Sequence, residues 1–381
     1  MSWQRSITIV TVLAVATWLA YSAMHSETAH PARDDSLMVV LGGNDSGYAR
    51  ANRVREFHFP RDYGAHPGFR HEWWYFTGNL TSVSGRKFGY ELTIFRFALR
   101  PAPPQNQSAW ATNQLYMAHL ALTDPQAQHF TSHERFSRGA LGLAGARSAP
   151  FKVWLEDWSI STKRQGYFPW RLRAATGAMA LDLELLPVKP LVLQGDRGLD
   201  RKSARGDASY YYSYTRLATS GRLRLDKQIF KVSGLSWLDR EWSSGGLAPD
   251  QAGWDWFALQ FDDGADMMFY RLRKKNGRTD PYSSGVWVAP DGGTIPLAHD
   301  AVVIKTLDYW DSPYGGRYPA RWRLDIPARD CQITVAPVLA DQELNLSVRY
   351  WEGAVHAWGA CAGQPIHGRG YVELTGYARK L

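Results

Sequence analysis

Four ionisable residues of this 381-residue chain sit where acid–base chemistry is possible: Glu72, His119, Asp239 and Glu241. Glu72 opens the run EWWYF within HPGFRHEWWYFTGNL (66–80). Two Trp, a Tyr and a Phe in succession form strands readily and helices poorly. Alternation then puts Glu72, Trp74, Phe76 and Leu80 on one face and His71, Trp73, Tyr75 and Thr77 on the other. Burying a carboxylate in line with Trp and Phe is costly unless it is paired or protonated. Two arrangements satisfy it: an Arg partner that pins two strands together, or a place on the wall of a ligand cavity. His119, in LYMAHLALTD (115–124), points with Leu115, Met117 and Ala121. That pattern fits a hydrogen-bonded core histidine or a catalytic one.

Asp239 and Glu241 share a strand face with Trp237 in SWLDREWSSGGL (236–247), and Leu238, Arg240 and Trp242 take the other face. Two carboxylates two residues apart on a dry face repel, so one is held protonated, as a general acid requires. Arg96, Arg271 and Arg273 are the cations available to neutralise them instead. A shared polar nook satisfies such groups most cheaply, so Glu72, Trp74, His119, Asp239, Glu241 and Trp242 are expected to meet in space. The expected ligand contacts from the first half are Trp73, Trp74, Tyr75 and Tyr116. Those from the second half are Trp242, Trp254, Trp256, Tyr270 and Trp351.

The elements that must position these side chains read as strands. RKFGYELTIFRFALR (86–100) follows the turn SVSGR and folds back on the first strand as a hairpin. Short strands recur along the rest of the chain with no amphipathic helix of any length, which predicts an all-β fold. The polar stretch QGDRGLDRKSARGDASYYYSYTR (194–216) ends in a Tyr cluster and has the length of a loop over a barrel mouth. The chain is too long for one compact core. Two antiparallel β-barrel domains are expected, over 51–240 and 241–381, after a flexible lead-in at 24–50.

Residues 1–23 carry Arg5 ahead of the uncharged run Ile7–Tyr21, the pattern of an export signal, or of an N-terminal anchor where it stays uncleaved. Export places Cys331 and Cys361 in an oxidising compartment, as one disulfide or as two buried thiols. The 17 Trp and 19 Tyr suit barrel cores and apolar ligands alike. A net charge of +8 without a basic block fits contact with an anionic membrane surface and gives nucleic-acid binding little support. No phosphate loop, nucleophile elbow or zinc spacing occurs, so neither a cofactor nor a metal is expected.

In order along about 57–377, HPGFRHEWWYFTGNL, LYMAHLALTD, SWLDREWSSGGL, GWDWFALQFDDG, MMFYRLR, YWEGAV and GYVELTGY resemble the signature of the AttH-like branch of the carotenoid hydratase family. The resemblance implies two lipocalin-like barrels packed together, in a bacterial exported protein often encoded beside an ABC-type membrane transporter. The related hydratases add water across a terminal double bond of an acyclic carotenoid without a cofactor. They carry a His where this chain has Arg240, and an Arg cannot be the acid that protonates an alkene, so the resemblance does not carry the carotenoid hydratase activity over to this chain. Two functions follow. The first is an exported carrier of a lipid or isoprenoid, working at the periplasmic face of the inner membrane. The second is a cofactor-free hydratase, lyase or hydrolase using Glu72, His119, Asp239 or Glu241 as acid and base. A glycan-binding surface is disfavoured, because the aromatics alternate with apolar neighbours.

Overall fold

The computed structural model describes residues 45–105, 107–162 and 168–378, so the expected export signal and most of the expected lead-in lie outside the described residues. Among the described residues, 23 strands build two antiparallel sheets, of 13 and 10 strands. β1 (His71–Ser82), β2 (Lys87–Ala98), β3 (Gln114–Asp124) and β4 (His129–Arg138) form one meander. β5 (Ala144–Ser148), β6 (Phe151–Leu155), β7 (Trp158–Thr162), β8 (Trp170–Ala175) and β9 (Met179–Pro187) form another. After the short β10 (Val192–Leu193) and β11 (Leu199–Arg201), the long strands β12 (Ala208–Leu225) and β13 (Gln228–Ser243) join the two meanders. β13 pairs with β1, and β12 with β9. The sheet curls until β6 approaches β2, β3 and β4, which makes a nearly closed barrel.

The second sheet is a half-barrel. β14 (Gln251–Phe261), β15 (Asp266–Lys274), β16 (Ser284–Val288) and β17 (Thr294–Leu297) run to one edge. β18 (Val303–Asp311), β19 (Arg317–Ile326), β20 (Cys331–Pro337), β21 (Glu343–Asn345), β22 (Arg349–Cys361) and β23 (Gln364–Leu374) make up the rest, with β23 beside β14. Cys331 and Cys361 face each other across β20 and β22 and are joined in a disulfide. The division expected at 240/241 falls inside β13, and the chain changes sheet over residues 244–250.

Three apolar layers result. Trp74, Phe76, Leu80, Trp158, Trp170 and Trp242 fill the barrel, and Phe257, Trp322 and Trp351 fill the half-barrel. Between the sheets, Tyr75, Tyr211 and Trp237 of the first pack against Trp256, Met268 and Tyr371 of the second. β1 and the 236–243 half of β13 are therefore buried on both faces, which is why EWWYF shows no polar alternation. Gly89 permits the close approach: a Cβ there would lie 2.6 Å from Ala354 Cβ and 2.7 Å from the Tyr371 hydroxyl.

Glu72 faces the barrel interior, fully buried, and its carboxylate is gripped by Arg96 of β2 and Arg240 of β13. The His66 amide donates to both of its oxygens, at 2.9 and 3.1 Å. Burial alone would raise this carboxyl, but the two guanidinium groups hold it well below its ordinary range. Arg96 also donates to the carbonyls of His66 and Phe69, and Arg240 lies 3.9 Å over the Trp74 ring. Of the two arrangements open to Glu72, the Arg-paired one is observed, and it ties three strands to the 66–69 turn. Replacing Glu72 by Gln leaves two buried cations short of a counter-charge, so a stability loss of about 3–5 kcal/mol is expected. A urea midpoint unchanged by Glu72→Gln contradicts this account.

Candidate active site

Where β1, β2, β12 and β13 of the barrel meet β14, β15, β22 and β23, the packing leaves a cavity of about 110 Å³. Its walls are aromatic: Trp73, Tyr75, Phe95, Trp254, Trp256 and Tyr350. Its polar groups are Asp239, Glu241, Glu373, Lys202, Tyr211, Tyr270 and His71, and Gly245–Leu247 of the connector between the sheets lines it too. The parity of WLDREW decides this placement. Asp239 and Glu241 leave β13 toward the second sheet, and Arg240 and Trp242 point into the barrel.

Asp239 is buried and makes no ion pair among the described residues. Ser213 Oγ and Trp237 Nε1 donate to its Oδ1 at 2.5 and 2.7 Å, and the Tyr211 hydroxyl donates to Oδ2. Burial outweighs these three donors and pushes the Asp239 carboxyl up to about 7. It therefore exchanges protons near neutrality, as a general acid must. The Tyr211 hydroxyl also accepts from Trp256 Nε1 at 3.3 Å, so the acid is braced from both sheets.

Glu241 differs because a cation faces it. Lys202 Nζ lies 3.4 Å from Glu241 and 2.6 Å from Asp200, and the Tyr270 hydroxyl donates to Asp200 at 2.7 Å. Burial would lower the Lys202 ammonium, but the Asp200 and Glu241 carboxylates hold it above its ordinary value. Glu241 is still raised, because burial exceeds what Lys202 returns. None of Arg96, Arg271 and Arg273 neutralises this pair, contrary to expectation: Arg96 serves Glu72, and Arg271 and Arg273 clasp Asp255 on the opposite face of β14.

Three more carboxyls belong to the strands around the cavity, and of these Glu373 lines it. Glu352 of β22 stands opposite Glu373 of β23, and the Tyr75 hydroxyl donates to Glu352 at 2.7 Å. Trp254 Nε1 donates to Glu373 at 2.9 Å. Burial first and the Glu373 charge second raise Glu352, while burial, helped by the Asp239 and Glu241 charges and opposed by the Trp254 hydrogen bond, pushes Glu373 up to about 8. Glu91 of β2 makes no ion pair among the described residues, and burial pushes it up to about 8. His71 is lowered to about 3 by burial and by Arg70 and Arg96, so it lines the cavity as a neutral ring beside Ser243 Oγ. Among the described residues, no group of His, Cys, Asp and Glu side chains has the arrangement of a metal site.

Of the residues singled out from the sequence, Trp73, Tyr75, Asp239, Glu241, Trp254, Trp256 and Tyr270 line the cavity. The single nook expected to hold Glu72, Trp74, His119, Asp239, Glu241 and Trp242 does not form. Glu72, Trp74, Trp242 and Tyr116 lie inside the barrel, and Trp351 lies in the half-barrel core. Each of these is on the wrong strand face for the cavity. His119 stands one residue behind its wall, 2.8 Å from the Tyr350 hydroxyl. Lys202, Tyr211, Tyr350 and Glu373 went unpredicted, although the Tyr cluster and the closing VELTGY both marked their segments.

An antiparallel barrel joined to a half-barrel, with an aromatic cavity between them, defines a lipocalin-like two-sheet protein. The chain belongs to the AttH-like family, whose model matches residues 50–377. A crystal structure of a Nitrosomonas europaea protein described as an AttH shares 36% identity, over 87% of this chain and 100% of that one, with a TM-score of 0.77. Kievitone hydratase from Nectria haematococca shares the fold, with 14% identity over 87% of this chain and 96% of its own, and a TM-score of 0.66. No functionally curated protein matches the chain.

The raised carboxyls carry a pH signature. Between 4.5, the ordinary value, and about 8, folded Glu91 keeps a proton that the unfolded chain has released. Stability therefore falls as pH rises through that window, by roughly 1 kcal/mol per pH unit for such a group. Glu91→Gln should flatten the slope and leave the variant more stable than the wild type at alkaline pH. Urea unfolding at a series of pH values measures this, and parallel curves for the two proteins contradict it.

Proposed function

We propose that this protein is a cofactor-free acid–base enzyme of the hydratase type, acting on the unsaturated end of an apolar molecule. The observation that carries the reading is Asp239: a carboxyl titrating near 7, hydrogen-bonded to Tyr211, on the wall of an aromatic cavity. In such a site the protonated carboxyl gives its proton to one alkene carbon. Water then bonds to the other carbon, and a second group takes the proton that water loses. The aromatic rings stabilise the intervening cation through their π-faces. The Arg240 objection loses its force, because Arg240 points into the barrel and Asp239 is the residue that faces the cavity. That kievitone hydratase has this fold supports the reaction class at the level of fold.

The cavity, at about 110 Å³, is well below the roughly 300–1,000 Å³ of sites that enclose a drug-sized ligand. It suits one end of a ligand rather than a whole long polyene. The aromatic walls support a second reading, an exported carrier of a lipid or isoprenoid. Work at the outer face of a bacterial inner membrane, beside an ABC-type transporter, is compatible with either. The +8 charge and the apolar run Ile7–Tyr21 support that location.

Incubation with geraniol and related acyclic isoprenoids in isotope-labelled water separates the two readings. The enzyme reading expects labelled tertiary alcohols from the wild type, and a fall in kcat of about 100-fold or more for Asp239→Asn with binding retained. Stoichiometric recovery of unaltered ligand from both proteins, with no label in any product, favours the carrier and sinks the enzyme.

A further inference from the structure

The acid side of the cavity is built by Asp239 and Tyr211, but the hydration balance also needs a base, and His119 does not touch the cavity. The chain that links it there is continuous. Glu134 of β4 stands opposite His119 of β3, with Glu134 Oε2 3.1 Å from His119 Nε2. His119 Nδ1 lies 2.8 Å from the hydroxyl of Tyr350 on β22, and Tyr350 lines the cavity. His119 is fully buried, with the Phe95 ring edge-on at 5.4 Å, while the Glu134 side chain is 14% exposed. The three residues thus run from the surface of the first sheet, across the junction, to a residue of the second.

The hydrogen bonds have a direction. Glu134 Oε2 also accepts from Ser347 Oγ at 2.5 Å, so a carboxylate with two donors faces Nε2. Nε2 therefore carries the imidazole proton, and Nδ1 is left to accept from the Tyr350 hydroxyl. We propose that Glu134, His119 and Tyr350 form the base side of the site: Tyr350 takes a proton from water in the cavity as it passes its own to His119. This rests on the acid–base reading above.

The step balances. The alkene electron pair takes the Asp239 proton and forms a C–H bond. The water oxygen bonds to the carbocation, and one water O–H bond breaks toward the Tyr350 oxygen. The Tyr350 O–H proton moves to His119 Nδ1, and Glu134 holds the resulting imidazolium. Asp239 ends ionised and His119 doubly protonated; the Nδ1 proton then returns through the Tyr350 hydroxyl and cavity water to Asp239, which restores both groups. The concerted exchange matters because burial raises the Tyr350 phenol well above its ordinary value, with Glu91 and Glu352 adding to the effect. A free tyrosinate is costly there, whereas a phenol that accepts and gives a proton together never carries the charge. Tyr350 is then the catalytic residue, and His119 and Glu134 are positioning residues that act through it.

Two measurements on the full chain test this. With geraniol in isotope-labelled water as the probe, Tyr350→Phe and His119→Gln are expected to lower kcat by about 100-fold or more and to leave KM within a few-fold. Tyr350→Phe keeps the ring and so keeps the packing. Nitrogen NMR of His119 in the wild type is expected to show the ring proton at Nε2 on the Glu134 side, and Glu134→Gln is expected to shift that signal. An active wild type whose kcat survives both substitutions overturns the relay, as does a His119 ring protonated at Nδ1. A wild type that turns over no probe overturns the acid–base reading and the base role with it, leaving the chain as a tie between sheets.

Discussion

The ion-paired carboxylate of Glu72 is the interaction on which the rest of the structure depends. It sits on β1, which lies between β2 and β13, and its two guanidinium partners come from the strands on either side. An unpaired charge there would be intolerable in a barrel filled with Trp, so the three strands can adopt one register only. That register decides every other face. Once Glu72 points inward, Trp73 and Tyr75 must point outward. Once Arg240 reaches inward to Glu72, Asp239 and Glu241 must face the second sheet. The core knot and the cavity are thus two consequences of one alignment.

Desolvation acts on all the buried acids, and their partners decide the outcome. Glu72 has two cations and stays ionised. Glu241 has one, shared with Asp200, and is raised. Asp239 has three neutral donors and, among the described residues, no ion pair, and titrates near 7. Glu91 makes no ion pair among the described residues and is raised to about 8, as far as Glu373. A gradient of proton affinity across the sheet junction follows from which strand contributes which partner. It is costly for folding at alkaline pH and useful for chemistry at neutral pH, a balance expected where a site is kept dry.

Much of the fold was legible because it depends on local alternation. The EWWYF strand, its hairpin with 86–100 and the face assignments of 236–242 all follow from period 2, and the structure reproduces them. The two cysteines fall opposite each other on neighbouring strands, which resolves the pair in favour of a disulfide. Parity cannot tell which face becomes barrel interior and which becomes cavity. Glu72 and Asp239 read alike in the sequence, each a carboxylate among aromatics, yet they lie on opposite sides of the same sheet. The other half of the site was illegible for a related reason. Tyr350 and Glu373 belong to the second sheet, and only the docking of one sheet on the other brings them within reach.

The Arg240 position shows how such a reading goes astray. By the resemblance alone, Arg240 in place of an expected His removes that acid and argues against the whole reaction class. In the strand, however, residue 240 and residue 239 serve different compartments. Arg240 completes the Glu72 knot, which demands a permanent cation, and a His there would give up its charge near neutrality. Asp239, one residue earlier, inherits the cavity. A proton donor on this sheet therefore has two possible addresses, inside the barrel or outside it. In this chain Arg240 takes the inner one, and Asp239 holds the outer one between the two sheets, where burial raises its carboxyl to about 7.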